Sequence, residues 1–297
     1  MGERSLRGTV IQGIGSFYTV RTGAGEEFIL RAQKKLRRTH QSPLAGDEVL
    51  FSPPEEGSEH GWLEEILPRQ TVCLRPPVAN VEILIIVLAP EPEPDLILTD
   101  RQIARALHQG MRVLIAVNKR DLDENLAPRL REEYAAAGIP VFSIQADAGL
   151  GLEALREAMG SSLCCFSGQS GTGKRTTLNA LLDLRLETGD LSRKIARGKN
   201  TTRSAVLLEK NGLRVMDTAG FSLLEAERNL PPEELKNRYP EFGPYEGKCR
   251  FNQCLHDNEP GCAVAEAVRE GKMQPGRWQR YRELLTETRE NWKNRFD

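Results

Sequence analysis

The chain has 297 residues, 39% of them hydrophobic and 28% charged, with a formal net charge of -1. That is enough for two or three compact domains of ordinary globular composition; the near-zero charge neither suggests nor excludes a nucleic-acid partner, so charge is read segment by segment. The longest apolar run, Ile83 to Ala89, is too short to cross a bilayer, and Met1 to Arg4 lacks the apolar core of a signal peptide, so a cytoplasmic protein without membrane contact is expected.

From Leu6 to about Leu67, short alternating segments at Gly8 to Ile11, Phe17 to Val20, Glu27 to Leu30, Glu48 to Phe51 and Gly61 to Ile66 are punctuated by glycine and proline. They predict a five-stranded β-barrel over residues 1–70, with the OB-fold as the leading candidate. Between two of the strands, Arg31 to His40 carries five Lys and Arg side chains. Such a run is either a solvated loop or a patch that neutralises phosphates, and a barrel of nucleic-acid-binding type favours RNA.

Pro68 to Pro77 reads as a proline-flanked connector without a period. Beyond it, Val81 to Ala89, Val113 to Val117 and Val141 to Ile144 are almost continuously apolar, and helical patterns at Thr99 to Gln109 and Asn125 to Ala137 separate them. Buried strands alternating with helices predict a parallel sheet covered on both faces. The alternation continues through Leu152 to Ala158, a strand Ser162 to Phe166, a helix Thr176 to Leu184, and strands Ala205 to Leu208 and Leu213 to Met216, giving one α/β domain over residues 78–228.

The chemistry centres on Gly168-Gln169-Ser170-Gly171-Thr172-Gly173-Lys174-Arg175-Thr176, which comes after a strand pattern and opens a helical one. In the pattern G-x-x-x-x-G-K-[ST], glycines let backbone N–H groups turn onto phosphate oxygens, the lysine reaches the terminal phosphates and the hydroxyl holds magnesium. Gly168, Gly173 and Lys174 fit, while Arg175 stands where the hydroxyl belongs. Thr176 is no simple substitute, since one residue along a helix turns the side chain by about 100°. Arg175 either adds charge at the phosphates or points to solvent.

Asn118-Lys119-Arg120-Asp121 matches N-K-x-D, whose aspartate accepts two N–H bonds from a guanine edge and repels the lone pair that adenine would present. Of Gln145-Ala146-Asp147, only Ala146 resembles a base-contacting turn. Asp217-Thr218-Ala219-Gly220 matches D-x-x-G, with the carboxylate for magnesium and the glycine N–H for the γ-phosphate. The next residue, Phe221, cannot orient water as a glutamine would. Arg193 to Arg203 is the candidate first switch, with Thr201 or Thr202 for magnesium and the γ-phosphate. Because N-K-x-D precedes the phosphate loop, the domain is expected to be circularly permuted, its second switch leading straight into an additional C-terminal domain.

That C-terminal region, residues 229–297, contains Cys249, Cys254, His256 and Cys262, four ligands of the softness and number that structural zinc takes. A charged helix from Pro275 to Phe296 is expected to pack on this module, its charged face either solvated or touching RNA.

Barrel, permuted GTPase and Cys-x4-Cys-x-His-x5-Cys module in this order resemble the bacterial small-ribosomal-subunit-dependent GTPases, the RsgA family. Gly8-Thr-Val, Pro43 to Asp47, Arg75 to Asn80 and Glu259 to Val264 also resemble family segments. The resemblance implies a late-acting assembly factor, expected monomeric, that binds the small ribosomal subunit and its rRNA, hydrolyses GTP to GDP with Mg2+, and carries one Zn2+. It carries zinc onto Cys249, Cys254, His256 and Cys262, and guanine recognition onto Asn118, Lys119 and Asp121. Where the family's first switch reads Gly-Arg-His-Thr-Thr, this chain has Gly198-Lys199-Asn200-Thr201-Thr202, and asparagine cannot carry the proton that histidine can. The expected catalytic set is therefore Asn200, Thr201, Thr202, Asp217 and Gly220. A factor that binds GTP with little hydrolysis is the alternative, and a permuted GTPase serving another RNA is a third reading.

Overall fold

Alternation along the first five strands closes them into a barrel. The computed structural model describes residues 5–33, 36, 42–74, 77–184, 205–218 and 230–295. Strands β1 (Leu6–Ile14), β2 (Phe17–Thr22), β3 (Glu27–Ala32), β4 (Glu48–Ser52) and β5 (Gly61–Ile66) close in the order β1-β2-β3-β5-β4. Only β3 and β5 pair in parallel. Inward residues Val10, Val20, Leu30, Val49, Phe51 and Leu63 are buried, because a period-2 pattern sends alternate side chains to one face. Most of the basic segment Arg31 to His40 lies outside the described residues.

The segment Pro43 to Asp47 has a structural task. The buried Asp47 carboxylate accepts from the Leu44 N–H at 2.7 Å and from Arg69 Nε and Nη2 at 2.7 and 2.8 Å. Asn80 Nδ2 donates to the Gly46 carbonyl at 2.9 Å. The connector is not without period: β6 (Val72–Leu74) and β7 (Pro77–Ala79) form a small antiparallel pair.

Six further strands, β8 (Ile83–Leu88), β9 (Arg112–Val117), β10 (Val141–Ser143), β11 (Leu163–Ser167), β12 (Ala205–Lys210) and β13 (Leu213–Thr218), form a sheet in the order β10-β9-β8-β11-β13-β12. Every residue of β8 and β11 is buried, as a doubly covered strand requires, whereas Phe142 and Ser143 of β10 are only half-buried. The sheet is not parallel throughout. β12 pairs antiparallel with β13 across Asn211-Gly212, whose φ values of 53° and 76° suit a two-residue hairpin turn. That Asn-Gly pair was the sequence signal for a hairpin rather than a crossover.

The helices are α1 (Leu96–His108), α2 (Leu126–Tyr134), α3 (Leu152–Met159), α4 (Lys174–Leu182), the short α5 (Pro232–Leu235), α6 (Ala263–Arg269) and α7 (Pro275–Lys293). No helix among the described residues is long and apolar enough to cross a membrane. By contacts the chain divides into two compact units, residues 1–84, 156–167 and 178–222, and residues 85–155, 168–177 and 223–297. The phosphate loop, the N-K-x-D turn and the cysteine cluster belong to the second.

Candidate nucleotide and metal sites

The loop after β11 is shaped by two glycines. Gly168 has φ 131°, and a Cβ there would lie 2.2 Å from the Val87 carbonyl oxygen of β8. Gly173 has φ 89°, and a Cβ there would lie 2.2 Å from Asn118 Nδ2. Both positions thus require glycine for conformation and for close approach. Lys174 Nζ donates to the carbonyls of Gly168 and Gln169 at 2.8 and 2.6 Å, and Thr172 Oγ1 donates to the Gln169 carbonyl at 3.0 Å. Burial lowers the Lys174 pKa, since only neutral carbonyls bond the ammonium. A phosphate beside it would supply the missing countercharge.

Asn118 joins two parts of the site. It is buried, its Nδ2 donates to the Thr172 carbonyl at 3.0 Å, and its Oδ1 accepts from the Ala146 N–H at 3.0 Å. One amide therefore ties N-K-x-D to the phosphate loop and to the turn at Gln145-Ala146, itself closed by hydrogen bonds between Gln145 and Leu150. The Ala146 backbone is thereby fixed to the N-K-x-D turn. Lys119 adopts φ 58° and donates to the Glu91 carbonyl at 2.6 Å, while Asp121 is exposed on the adjoining turn. An exposed carboxylate beside a fixed amide can accept the N–H groups of a guanine edge.

The helix starts at Lys174, two residues before the expected Thr176, so Arg175 and Thr176 occupy its first turn. Both are exposed, as are Ser170 and Gly171. The buried threonine of this helix turn is Thr177, whose Oγ1 donates to the Gly173 carbonyl at 2.9 Å. Asp217 lies near the end of β13, which runs parallel to β11 with Met216 opposite Cys165. Asp217 thus lies at the carboxyl end of β13, level with the end of β11. Asn200, Thr201, Thr202 and Gly220 lie outside the described residues.

In the C-terminal segment, the ligand atoms of Cys249, Cys254, His256 and Cys262 all lie within 4.8 Å of one another. His256 Nδ1 is 3.6 Å from both Cys249 Sγ and Cys262 Sγ. Zinc bonds of about 2.3 Å to sulfur and about 2.0–2.1 Å to nitrogen, at a tetrahedral angle, require an S···N separation of about 3.5–3.6 Å. The set therefore fits a four-coordinate zinc ion, with Nδ1 as the histidine ligand. Ala263 and Ala265 N–H groups donate to Cys249 and Cys262 sulfurs at 3.3 and 3.5 Å, as suits thiolates. Burial pushes the Cys254 and Cys262 thiols up, a cost that a bound cation would offset, and pushes His256 down, toward the neutral form that ligates a metal.

Helix α7 packs on the cluster: Trp278 Nε1 donates to the His256 carbonyl at 2.7 Å, and Tyr281 Oη to that of Leu255. Its charged face is not simply solvated. Arg277 and Asp100 are 2.5 Å apart, with side chains 3% and 0% exposed, and Arg277 also pairs with buried Glu241. Arg280 donates to Asp100 at 2.6 Å and to Glu133 at 2.9 Å, and Tyr134 Oη donates to Asp100 at 2.8 Å. The ring of Tyr239 lies 4.8 Å from the Arg277 guanidinium carbon. At the start of α1, Asp95 caps the Leu98 N–H at 2.8 Å and its own N–H donates to Gln169 Oε1 at 3.0 Å. Helix α1 is thus held by the phosphate loop at one end and by α7 through Asp100. Nothing local in the sequence marks this network.

A permuted phosphate-loop fold with an N-K-x-D turn bonded to the loop and a Cys3His cluster defines a protein of the GTPase class. The chain belongs to the RsgA GTPase family: the model "RsgA GTPase" matches residues 66–227 and "RsgA N-terminal domain" matches residues 7–63. It is 43% identical to a Ruminiclostridium cellulolyticum protein named "Small ribosomal subunit biogenesis GTPase RsgA", over 93% of this chain and 92% of that one. A Caldanaerobacter subterraneus subsp. tengcongensis protein of the same name is 38% identical, over 98% of each. Among solved structures, YjeQ from Thermotoga maritima superposes with a TM-score of 0.82 at 32% identity, covering 96% of this chain and 98% of that one. YloQ, described as a circularly permuted GTPase, gives 0.79 at 26%, covering 99% and 97%.

Proposed function

We propose that this protein hydrolyses GTP in the maturation of the small ribosomal subunit, binding the subunit's rRNA in the cytoplasm as a monomer. The observation that carries the nucleotide reading is Asn118, one buried amide bonded both to the phosphate loop and to the Ala146 turn. In this reading Asp121 selects guanine, the N–H groups of Gly168 to Thr176 cradle the phosphates, and Lys174 neutralises them. Asp217, with Thr201 or Thr202, would supply oxygen donors for magnesium, and the ion would add positive charge beside the phosphates. Asn200 positions water, and Gly220 senses the γ-phosphate. Cys249, Cys254, His256 and Cys262 hold a structural zinc. Near full-length similarity to relatives named as GTPases favours hydrolysis over a role limited to GTP binding.

The test is co-sedimentation with purified small and large ribosomal subunits, with GDP or a non-hydrolysable GTP analogue, alongside GTP turnover with each subunit. Nucleotide-dependent binding to the small subunit with stimulated turnover is expected. Binding to the large subunit alone would overturn the assignment.

A further inference from the structure

The residue directly after the loop lysine offers no oxygen. In G-x-x-x-x-G-K-[ST] that position supplies a hydroxyl to magnesium, and here it is Arg175, whose side chain has only N–H donors. The neighbouring hydroxyls do not take over the task. Thr172 Oγ1 and Thr177 Oγ1 belong to buried residues and donate to the carbonyls of Gln169 and Gly173 at 3.0 and 2.9 Å. Thr176 lies about 100° further round the helix. The loop therefore does not fit magnesium as this pattern ordinarily does, and Asp217 is the only member of the expected magnesium set among the described residues.

A cation stands at this position instead. Lys174 and Arg175 are the first two residues of α4, and its first turn has no acidic residue. Two positive side chains there oppose the helix dipole, whose N-terminal end is itself positive. Cα–Cβ bonds in a helix tilt toward its N-terminus, so from the first turn Arg175 sets out toward the end of α4 that continues the phosphate loop. Its side chain is exposed and pairs with no carboxylate among the described residues. The Lys174 ammonium beside it bonds the carbonyls of Gly168 and Gln169. Ammonium, guanidinium and helix N–H groups thus gather where an oligophosphate would balance them. For solubility alone any exposed position of α4 would serve, and the first turn is where a cation costs the helix most.

We propose that Arg175 is a phosphate-binding residue that stands in for magnesium. Its guanidinium bonds the β-phosphate of GDP and GTP through two N–H groups, so the chain holds either nucleotide almost as tightly without the ion as with it. This rests on the guanine-nucleotide site proposed above and adds how its charge is balanced.

The experiment is isothermal titration of the full chain with GDP and, separately, with a non-hydrolysable GTP analogue, each in magnesium and in EDTA. For the native chain the two conditions should differ less than about 3-fold, because a bidentate guanidinium already supplies the charge. Arg175→Ser removes the cation and restores the hydroxyl, so it should bind at least about 10-fold tighter with magnesium than without. Arg175→Ala removes the one and adds nothing, and should be weaker than the native chain in both conditions. Arg175→Lys keeps the charge without the fork, and should bind less tightly yet stay insensitive to magnesium. Melting temperatures should not change, since the side chain is exposed. A native chain as dependent on magnesium as Arg175→Ser, or Arg175→Ala binding in EDTA as tightly as the native chain, would overturn the proposal. Titration with ADP separates the two failures. Guanine-selective binding that tracks magnesium removes only the role of Arg175, whereas no guanine binding in either condition removes the site as well.

Discussion

The phosphate loop and the cysteine cluster lie in the same compact unit and are both built around a charge they do not balance, yet they are held in opposite ways. The loop is backbone held by glycines, with one ammonium folded onto its own carbonyls. The cluster is four side chains converging on a point, with backbone N–H groups bonding two of the sulfurs. The loop keeps its shape by its own hydrogen bonds and needs an anion only to complete its electrostatics. The cluster brings together buried thiols that repel one another once ionised, so the cation is part of what holds it. One arrangement is shaped mainly by backbone, the other by the convergence of four side chains.

Removing the ion tests that contrast most severely. Cys254→Ser should abolish stoichiometric zinc, read by metal analysis, and cost residues 230–295 their cooperative unfolding, read by hydrogen exchange. GTP affinity should fall far less. If GTP binding is lost together with the metal, the two sites are not held independently. The next largest effect concerns the helix between them. Asp100→Ala leaves Arg277 buried without that partner and should destabilise the protein by about 3–5 kcal/mol in a denaturant titration. Adding Arg277→Met together with Glu241→Gln should recover part of the loss, because the buried charges that remain then go together.

The departures within the loop come third. Arg175 is exposed on the first turn of α4, so Arg175→Ser should leave stability and the Lys174 hydrogen bonds almost unchanged. Combined with Asn200→His it should raise subunit-stimulated turnover at least about 10-fold, since a titratable group can take the proton from water. An unchanged rate in the double variant would remove both residues from the account of catalysis.

How much was legible in the sequence depends on the range of the interactions. The barrel strands, the buried runs of β8 and β11, the strand–loop–helix at Gly168 to Lys174 and the meeting of three cysteines with His256 follow from local period and spacing. The antiparallel β12–β13 pair was legible too, in Asn211-Gly212, but the surrounding alternation masked it. The Asp100, Arg277, Arg280 and Glu241 network could not be read, because its partners are joined only by folding and each reads as a surface charge on its own helix or loop. Likewise Asp47 and Asn80 belong to segments that resembled a family, but only the structure shows them bonding to Arg69 and Gly46.

The smallest expected effect is the pH dependence of the loop. Burial lowers the Lys174 pKa below its ordinary 10.5. Between the lowered value and 10.5 the folded chain binds fewer protons than the unfolded one. The cost of burying this cation is thus present in full below the lowered value and vanishes as pH rises toward 10.5. A phosphate beside the ammonium reverses the sign: it raises the pKa, so nucleotide binding takes up a proton in the alkaline range. GTP affinity should therefore weaken as pH rises through the lowered value, by less than about 10-fold, because Lys174 is only half-buried and water screens it. Isothermal titration in buffers of different ionisation enthalpy would count the proton directly. Lys174→Arg, charged throughout this range, should flatten the profile even if it binds more weakly. A profile unchanged by that substitution would place the titrating group elsewhere and leave the loop's charge complete without its ligand, erasing the likeness to the metal cluster.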